Sequence, residues 1–195
     1  MKPRNPAIPN EATLELPFLT AAEDGDSPYR SHAEKEVTEL FGLLRKPVLR
    51  YLLTFGLPAH DGEEVVQEVF LALFQHLRRG KDRSNLRGWI FRVAHNLALK
   101  ERMATQRQWA ESGAADLEQR SDDALDPEQQ LALTQKERKL TAVLRALPET
   151  DQRCLSLRAE GLRYREIAEV LGISLGAVSM SLARSLARFE QVTKG

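Results

Sequence analysis

Residues Tyr164–Ser185 read YREIAEVLGISLGAVSMSLARS, and their spacing decides the fold of the C-terminal half. Ile167, Ala168 and Leu171 recur at helical intervals and form the inner face of one short helix. Gly172 supplies a tight turn and Ser174 an N-cap, after which Val178, Leu182 and Leu186 seat a second helix on the core. Ala168 is small enough to let the two helices cross closely, as a helix-turn-helix requires. With Val178 inward, the helical wheel turns Gly176, Ser179, Met180, Ala183, Arg184 and Ala187 outward. Bidentate base readout relies mainly on Arg, Lys, Asn and Gln. Only Arg184 qualifies, and it comes late in the helix; Ser179 and Ser181 discriminate weakly. Arg163, Arg165, Arg184 and Arg188 are suited to phosphate grip, which orients a duplex without reading it. The reading face is nearly blank, so the nucleic-acid chemistry must lie elsewhere.

Working outward, helical pattern also covers Leu140–Leu147, broken by Pro148, and Glu149–Ala159, closed by a glycine at 161. Upstream, Glu111–Glu128 carries seven acids against the single base Arg120 and loses its apolar period, which reads as a linker. The N-terminal half has three helical patterns. One begins at Glu34 and places Val37, Leu40, Phe41, Leu44, Val48, Tyr51, Leu52 and Phe55 on a stripe, with Pro47 expected to bend or interrupt it. A second, EEVVQEVFLALFQHL, sets valines, Phe70 and leucines opposite Glu64, Gln67, Glu68, Leu71 and Gln75. The third turns Leu86, Trp89, Ile90, Val93, Ala94 and Leu97 inward and Arg92, His95, Asn96 and Lys100 away. The fold class is all-α: two small helical domains joined by an acidic linker, the second a helix-turn-helix domain. The expected boundaries are a loose tail over 1–31, domains over 32–110 and 132–195, and the linker over 111–131.

From His76 to Trp109 nine bases face two acids, with Trp89, Phe91, His95 and Asn96 interleaved. Cations that track phosphates, beside flat side chains and an amide, suit an unpaired strand. Trp89 lies on the apolar stripe and reads as core, whereas Asn96 lies off it and reads as functional.

Composition narrows the classes further. Formal charge is zero, with 28 bases and 28 acids, so any electrostatic footprint comes from segregation along the chain. The single cysteine, Cys154, reads as a small core residue in a reducing compartment. No run of apolar residues is long enough for a membrane span, and the start lacks a secretory pattern, so a soluble cytoplasmic protein is expected. The four histidines are scattered, with no metal-ligand spacing, phosphate loop or nucleophile motif, so neither an enzyme, a metal, a cofactor nor a small-molecule substrate is expected.

The stretches DGEEVVQEVFLALFQHL and NLRGWIFRVAHNLAL, followed by LPETDQRCLSLRAEGLRYREIAEVLGISLGAVSMSLAR, resemble bacterial RNA polymerase sigma factors of the extracytoplasmic-function group. The likeness spans about Glu39–Arg107 and Gln135–Gln191, two thirds of the chain. It implies that the first domain binds core RNA polymerase through Asp61, Glu64, Gln67, Glu68 and Leu71. It also implies that Arg83, Arg87, Arg92, His95, Asn96 and Lys100 hold the minus-ten strand, with Asn96 beside a flipped base. In the second domain, Arg163, Arg165, Ser174, Gly176, Ala177, Ser179, Met180, Ser181, Arg184 and Arg188 occupy the positions that meet promoter DNA. Two departures stand out. Lys100 and Glu101 replace the usual acid and arginine run after the asparagine, and Ala177, Ser179 and Ser181 replace a threonine, a base and an arginine. The resemblance leaves room for an anti-sigma partner. Two rival readings remain: a stand-alone helix-turn-helix regulator, which would need a dimer, and a degenerate sigma-like protein that binds polymerase or a regulator without initiating.

Overall fold

The computed structural model describes residues 28–111 and 135–194, which form seven α-helices and, among the described residues, no strand. The expected tail lies almost wholly, and the acidic linker almost wholly, outside them. The helices are α1 (Pro28–Leu53), α2 (Ala59–Arg78), α3 (Leu86–Glu111), α4 (Gln135–Arg145), α5 (Glu149–Ala159), α6 (Tyr164–Leu171) and α7 (Leu175–Lys194).

α1 starts six residues before Glu34, and it runs through Pro47 without interruption. A mid-helix proline costs about 3 kcal/mol. Leu44, Val48, Tyr51 and Leu52, all buried, hold the flanking turns in place against that penalty. α2 buries Val65, Val66, Val69, Phe70, Leu73 and Leu77 along one face. It crosses α1 at Gly62, where a Cβ would come within 2.9 Å of a Leu49 methyl. α3 closes the bundle with Ile90, Phe91, Ala94 and Ala98, and continues well beyond Lys100.

In the second half, α6 ends on Gly172 in the left-handed conformation (φ 65°), whose N–H bonds back to Ala168. Ser174 Oγ accepts the Ala177 N–H at 3.1 Å and caps α7. Val178 and Leu182 point into the core, but Leu186 does not: it is 55 % exposed. Ser185 takes the inner position instead, its hydroxyl donating to the Ser181 carbonyl at 2.9 Å. Small side chains are needed there because α5 brings Asp151 against α7.

The two halves are packed together. α3 lies against α6 and α1 against α5, and a single apolar cluster runs from Tyr51, Phe55 and Phe91 to Cys154, Leu157 and Leu162.

Candidate nucleic-acid interface

The loop before α3 is built by its own polar residues. Gly80 has φ 61°, which a side chain would resist. The Asp82 carboxylate accepts both the N–H and the hydroxyl of Ser84, at 3.0 and 2.7 Å. Those bonds hold the Asp82 carboxyl below the usual carboxylate range. His76 Nε2 donates to the Asp82 carbonyl at 2.8 Å, and its ring lies 4.5 Å from that of Trp89. Asn85 then caps α3 through Gly88, whose N–H it accepts at 2.9 Å.

This frame presents Arg87, Arg92, Asn96 and Lys100 on the exposed side of α3. Arg83 is exposed but already engaged, donating to Glu36 at 3.0 Å. His95 is not part of that surface. It is 7 % exposed, and its Nδ1 shares a 2.8 Å hydrogen bond with the Tyr51 hydroxyl. Burial, with the Arg153 charge nearby, pushes its pKa down to about 4. Burial likewise raises the Tyr51 phenol well above its ordinary value. A helical wheel put His95 beside Asn96; the structure rotates it toward Tyr51 and Phe55 because both aromatic rings need a neighbour there. Trp89 is half-buried against the core, and Phe91 is fully buried.

On α2, Glu64, Gln67, Glu68 and Leu71 are exposed and Asp61 partly so, opposite the apolar face. Leu71 is 54 % exposed, an unpaired apolar side chain among polar ones. Among the described residues Glu64 pairs only with His60, one turn before it, at 3.2 Å.

The helix-turn-helix face is blanker than its sequence. Gly176, Ser179 and Met180 are exposed, as are Arg163 and Arg165, while Ala177 is partly covered. Ser181 is 1 % exposed and donates to Asp151 at 2.7 Å, so it cannot meet DNA. Its position one residue before Leu182 turns it under the helix. Arg184 Nε and Nη2 grip the same Asp151 carboxylate at 3.2 and 2.8 Å, and Arg188 Nη1 donates to the Ala146 carbonyl at 3.3 Å. The desolvation that would raise the Asp151 pKa is outweighed by bonds from Arg184 and Ser181, so its carboxyl titrates below the ordinary value. Sequence reasoning gave Asp151 no role. An acid in the first turn of α5 reads as a dipole-pairing residue, and nothing local shows that α7 comes to meet it.

No group of three or more His, Cys, Asp or Glu among the described residues is arranged to hold a metal. No single described helix is long and apolar enough to cross a membrane.

Comparison with known proteins agrees with this layout. The Sigma-70 region 2 family model matches residues 40–108 and the Sigma-70, region 4 model residues 137–189. The chain is 32% identical over 139 residues to the ECF RNA polymerase sigma factor ShbA of Streptomyces griseus, covering 69% of this chain and 73% of that one. It is 30% identical over 152 residues to the RNA polymerase sigma factor YlaC of Bacillus subtilis, covering 76% and 87%. Among solved structures, it is similar in fold to the sigma factor RpoE, crystallised with the anti-sigma factor NepR from Bartonella quintana. The TM-score is 0.65 at 18% identity, over 82% of this chain and 98% of that one.

Proposed function

Because the chain belongs to the sigma-70 family of RNA polymerase sigma factors, in its ECF group, we propose a division of labour between its surfaces that follows from their chemistry. The protein is a transcription initiation factor that binds core RNA polymerase and directs promoter recognition and melting. In the proposed division, α2 docks on polymerase through Asp61, Glu64, Gln67, Glu68 and Leu71. Arg87, Arg92, Asn96 and Lys100 track the displaced strand, with Asn96 offering its amide to an unstacked base, while Arg83 is held by Glu36. Such capture must offset the few kcal/mol that unstacking costs.

The second domain contributes phosphate grip from Arg163 and Arg165 and reads little sequence, since Arg184 and Arg188 are engaged within the domain and Ser181 is buried. That division implies no enzymatic step, no cofactor and no small-molecule substrate. The protein acts in the cytoplasm, where polymerase and promoter DNA are its partners, and an anti-sigma factor is a third, by analogy with the RpoE relative.

The observation that carries the reading is α2 itself: a wholly apolar face buried, and a polar face with an exposed leucine left unpartnered by the described chain. The test is a core-polymerase pull-down with Glu68→Lys, alongside permanganate probing of bubble formation with Asn96→Ala. Loss of retention in the first and of thymine reactivity in the second is expected; retention of both overturns the assignment.

A further inference from the structure

Tyr51 and His95 form a buried polar pair that the strand-binding surface leaves unused. His95 immediately precedes Asn96 on α3, and on a helix of 3.6 residues per turn the two side chains diverge by about 100°. Fixing the direction of one therefore fixes that of the other. The Tyr51 hydroxyl and His95 Nδ1 are 2.8 Å apart, with Tyr51 wholly buried. Burial keeps the phenol protonated and the imidazole neutral, so the hydroxyl donates, Nδ1 accepts and the ring proton sits on Nε2. The imidazole is enclosed as well as bonded: it meets the Phe55 ring edge-on at 5.4 Å and stacks 6.3 Å from that of Tyr51. Tyr51 in turn meets Phe55 and Phe91 edge-on at 5.5 and 5.7 Å.

The rest of that turn grips the helix weakly against rotation. Its fully buried apolar side chains are Ala94 and Ala98, single methyl groups, while Val93 and Leu97 are only partly buried. The larger anchors Ile90 and Phe91 lie a turn earlier. A hydrogen bond is directional where apolar packing is not. Asn96 is exposed and has no hydrogen-bond partner among the described residues, so its direction comes from the backbone beneath it.

We propose that the Tyr51–His95 hydrogen bond is a positioning device for strand capture: it sets the rotation of α3 at the turn that carries Asn96, and so aims that amide at the unstacked base without either side chain touching nucleic acid. This rests on the strand-binding role of Asn96 argued above. A recognition group must be held to within about 10–20° of its working geometry. Arg92 and Lys100 end long, flexible chains and tolerate a rotation that the short Asn96 side chain does not.

Tyr51→Phe removes one oxygen and keeps the ring. His95→Phe removes the acceptor and keeps a ring, whereas His95→Asn keeps an acceptor close to the place of Nδ1. The probe is a promoter fragment whose minus-ten segment is mismatched and already open, so that the dissociation constant of the holoenzyme reads capture without the cost of melting. Tyr51→Phe and His95→Phe are each expected to weaken that complex about tenfold. Polymerase retention, which reports that the first domain is folded, stays at the wild-type level. So does the slope of log affinity against log salt, because the phosphate grip is intact. His95→Asn recovers most of the loss. In an Asn96→Ala background Tyr51→Phe has no further effect, since the pair acts through that amide. Wild-type affinity of Tyr51→Phe, or an equal loss in the Asn96→Ala background, overturns the positioning role alone and leaves the bond a purely structural one. Wild-type affinity of Asn96→Ala itself overturns the strand-binding role, and the positioning with it.

Discussion

At the residue scale, two buried polar groups set the acid stability of the molecule. His95 has an ordinary pKa of 6.5 and is held to about 4 in the fold. Between those values the unfolded chain carries a proton that the folded chain does not. Stability therefore rises with pH across this window and is lost on acidification from about 6.5 to 4, by up to about 3 kcal/mol. Urea unfolding at pH 7.5 and pH 4.5 measures this, and His95→Phe, which keeps an aromatic ring there, flattens the dependence. Asp151 has the opposite chemistry and the same direction. Its lowered pKa adds stability at neutral pH that is lost as pH falls below the ordinary carboxylate value of 3.8. The His95 loss therefore comes first. Asp151→Ala leaves the buried Ser181 hydroxyl without its acceptor, and a destabilisation of about 1–3 kcal/mol at pH 7 is expected from chemical denaturation.

At the element scale, the sequence was most legible where backbone chemistry leaves a mark. Gly172 and Ser174 announce the turn into α7, and the structure gives them the left-handed φ and the capping bond that such residues supply. Gly172→Ala forces a Cβ into that conformation and should lower stability by about 1 kcal/mol, and Ser174→Ala by about the same, both read from thermal melts. The α5 and α6 limits and the start of α7 follow from the same punctuation, whereas α7 runs on to Lys194. Periodicity misled where side-chain identity and rotation disagree. Leu186 is apolar yet exposed, while Ser181 and Ser185 are polar yet inside, because a carboxylate from α5 makes that part of the core polar. Pro47 failed to break α1 for a related reason: buried neighbours outweigh a local penalty. On α2 the pattern and the structure agree closely, since Glu64, Gln67, Glu68 and Leu71, opposite the apolar stripe, are exposed and Gln75 partly so. Glu68→Lys is accordingly expected to leave the melting temperature within about a degree of wild type, being an exposed surface change, while removing polymerase retention.

At the scale of the whole molecule, the docking of the halves could not be read from the chain. Arg50 finds Glu160 across 110 positions and Arg102 finds Glu149 across 47, and neither pair leaves a local pattern. Within the basic stretch, Arg83 meets Glu36 of its own half and Arg102 meets Glu149 of the other, and neither pairing leaves a local pattern; only the linker's negative charge was visible as segregation. The apolar consequence is as large as the electrostatic one. Leu157 and Leu162 share one buried cluster with Tyr51, Phe55 and Phe91, so each half completes the other's core. Small helical domains are marginal by themselves, and shared burial couples their unfolding. The wild-type protein should therefore melt in a single calorimetric transition, and Leu157→Ala, which removes about 2–5 kcal/mol of core packing, should shift that whole transition downward and not only part of it. Arg50→Glu, by parting the halves, should split the endotherm into two at the same ionic strength. The second-domain transition should then alone respond to Leu157→Ala, because the mutated side chain no longer shares a core with α1 and α3. Two transitions in the wild type, or a single undivided one in an Arg50→Glu protein shown by scattering to be expanded, would mean that the continuous core carries no cooperative coupling between the halves.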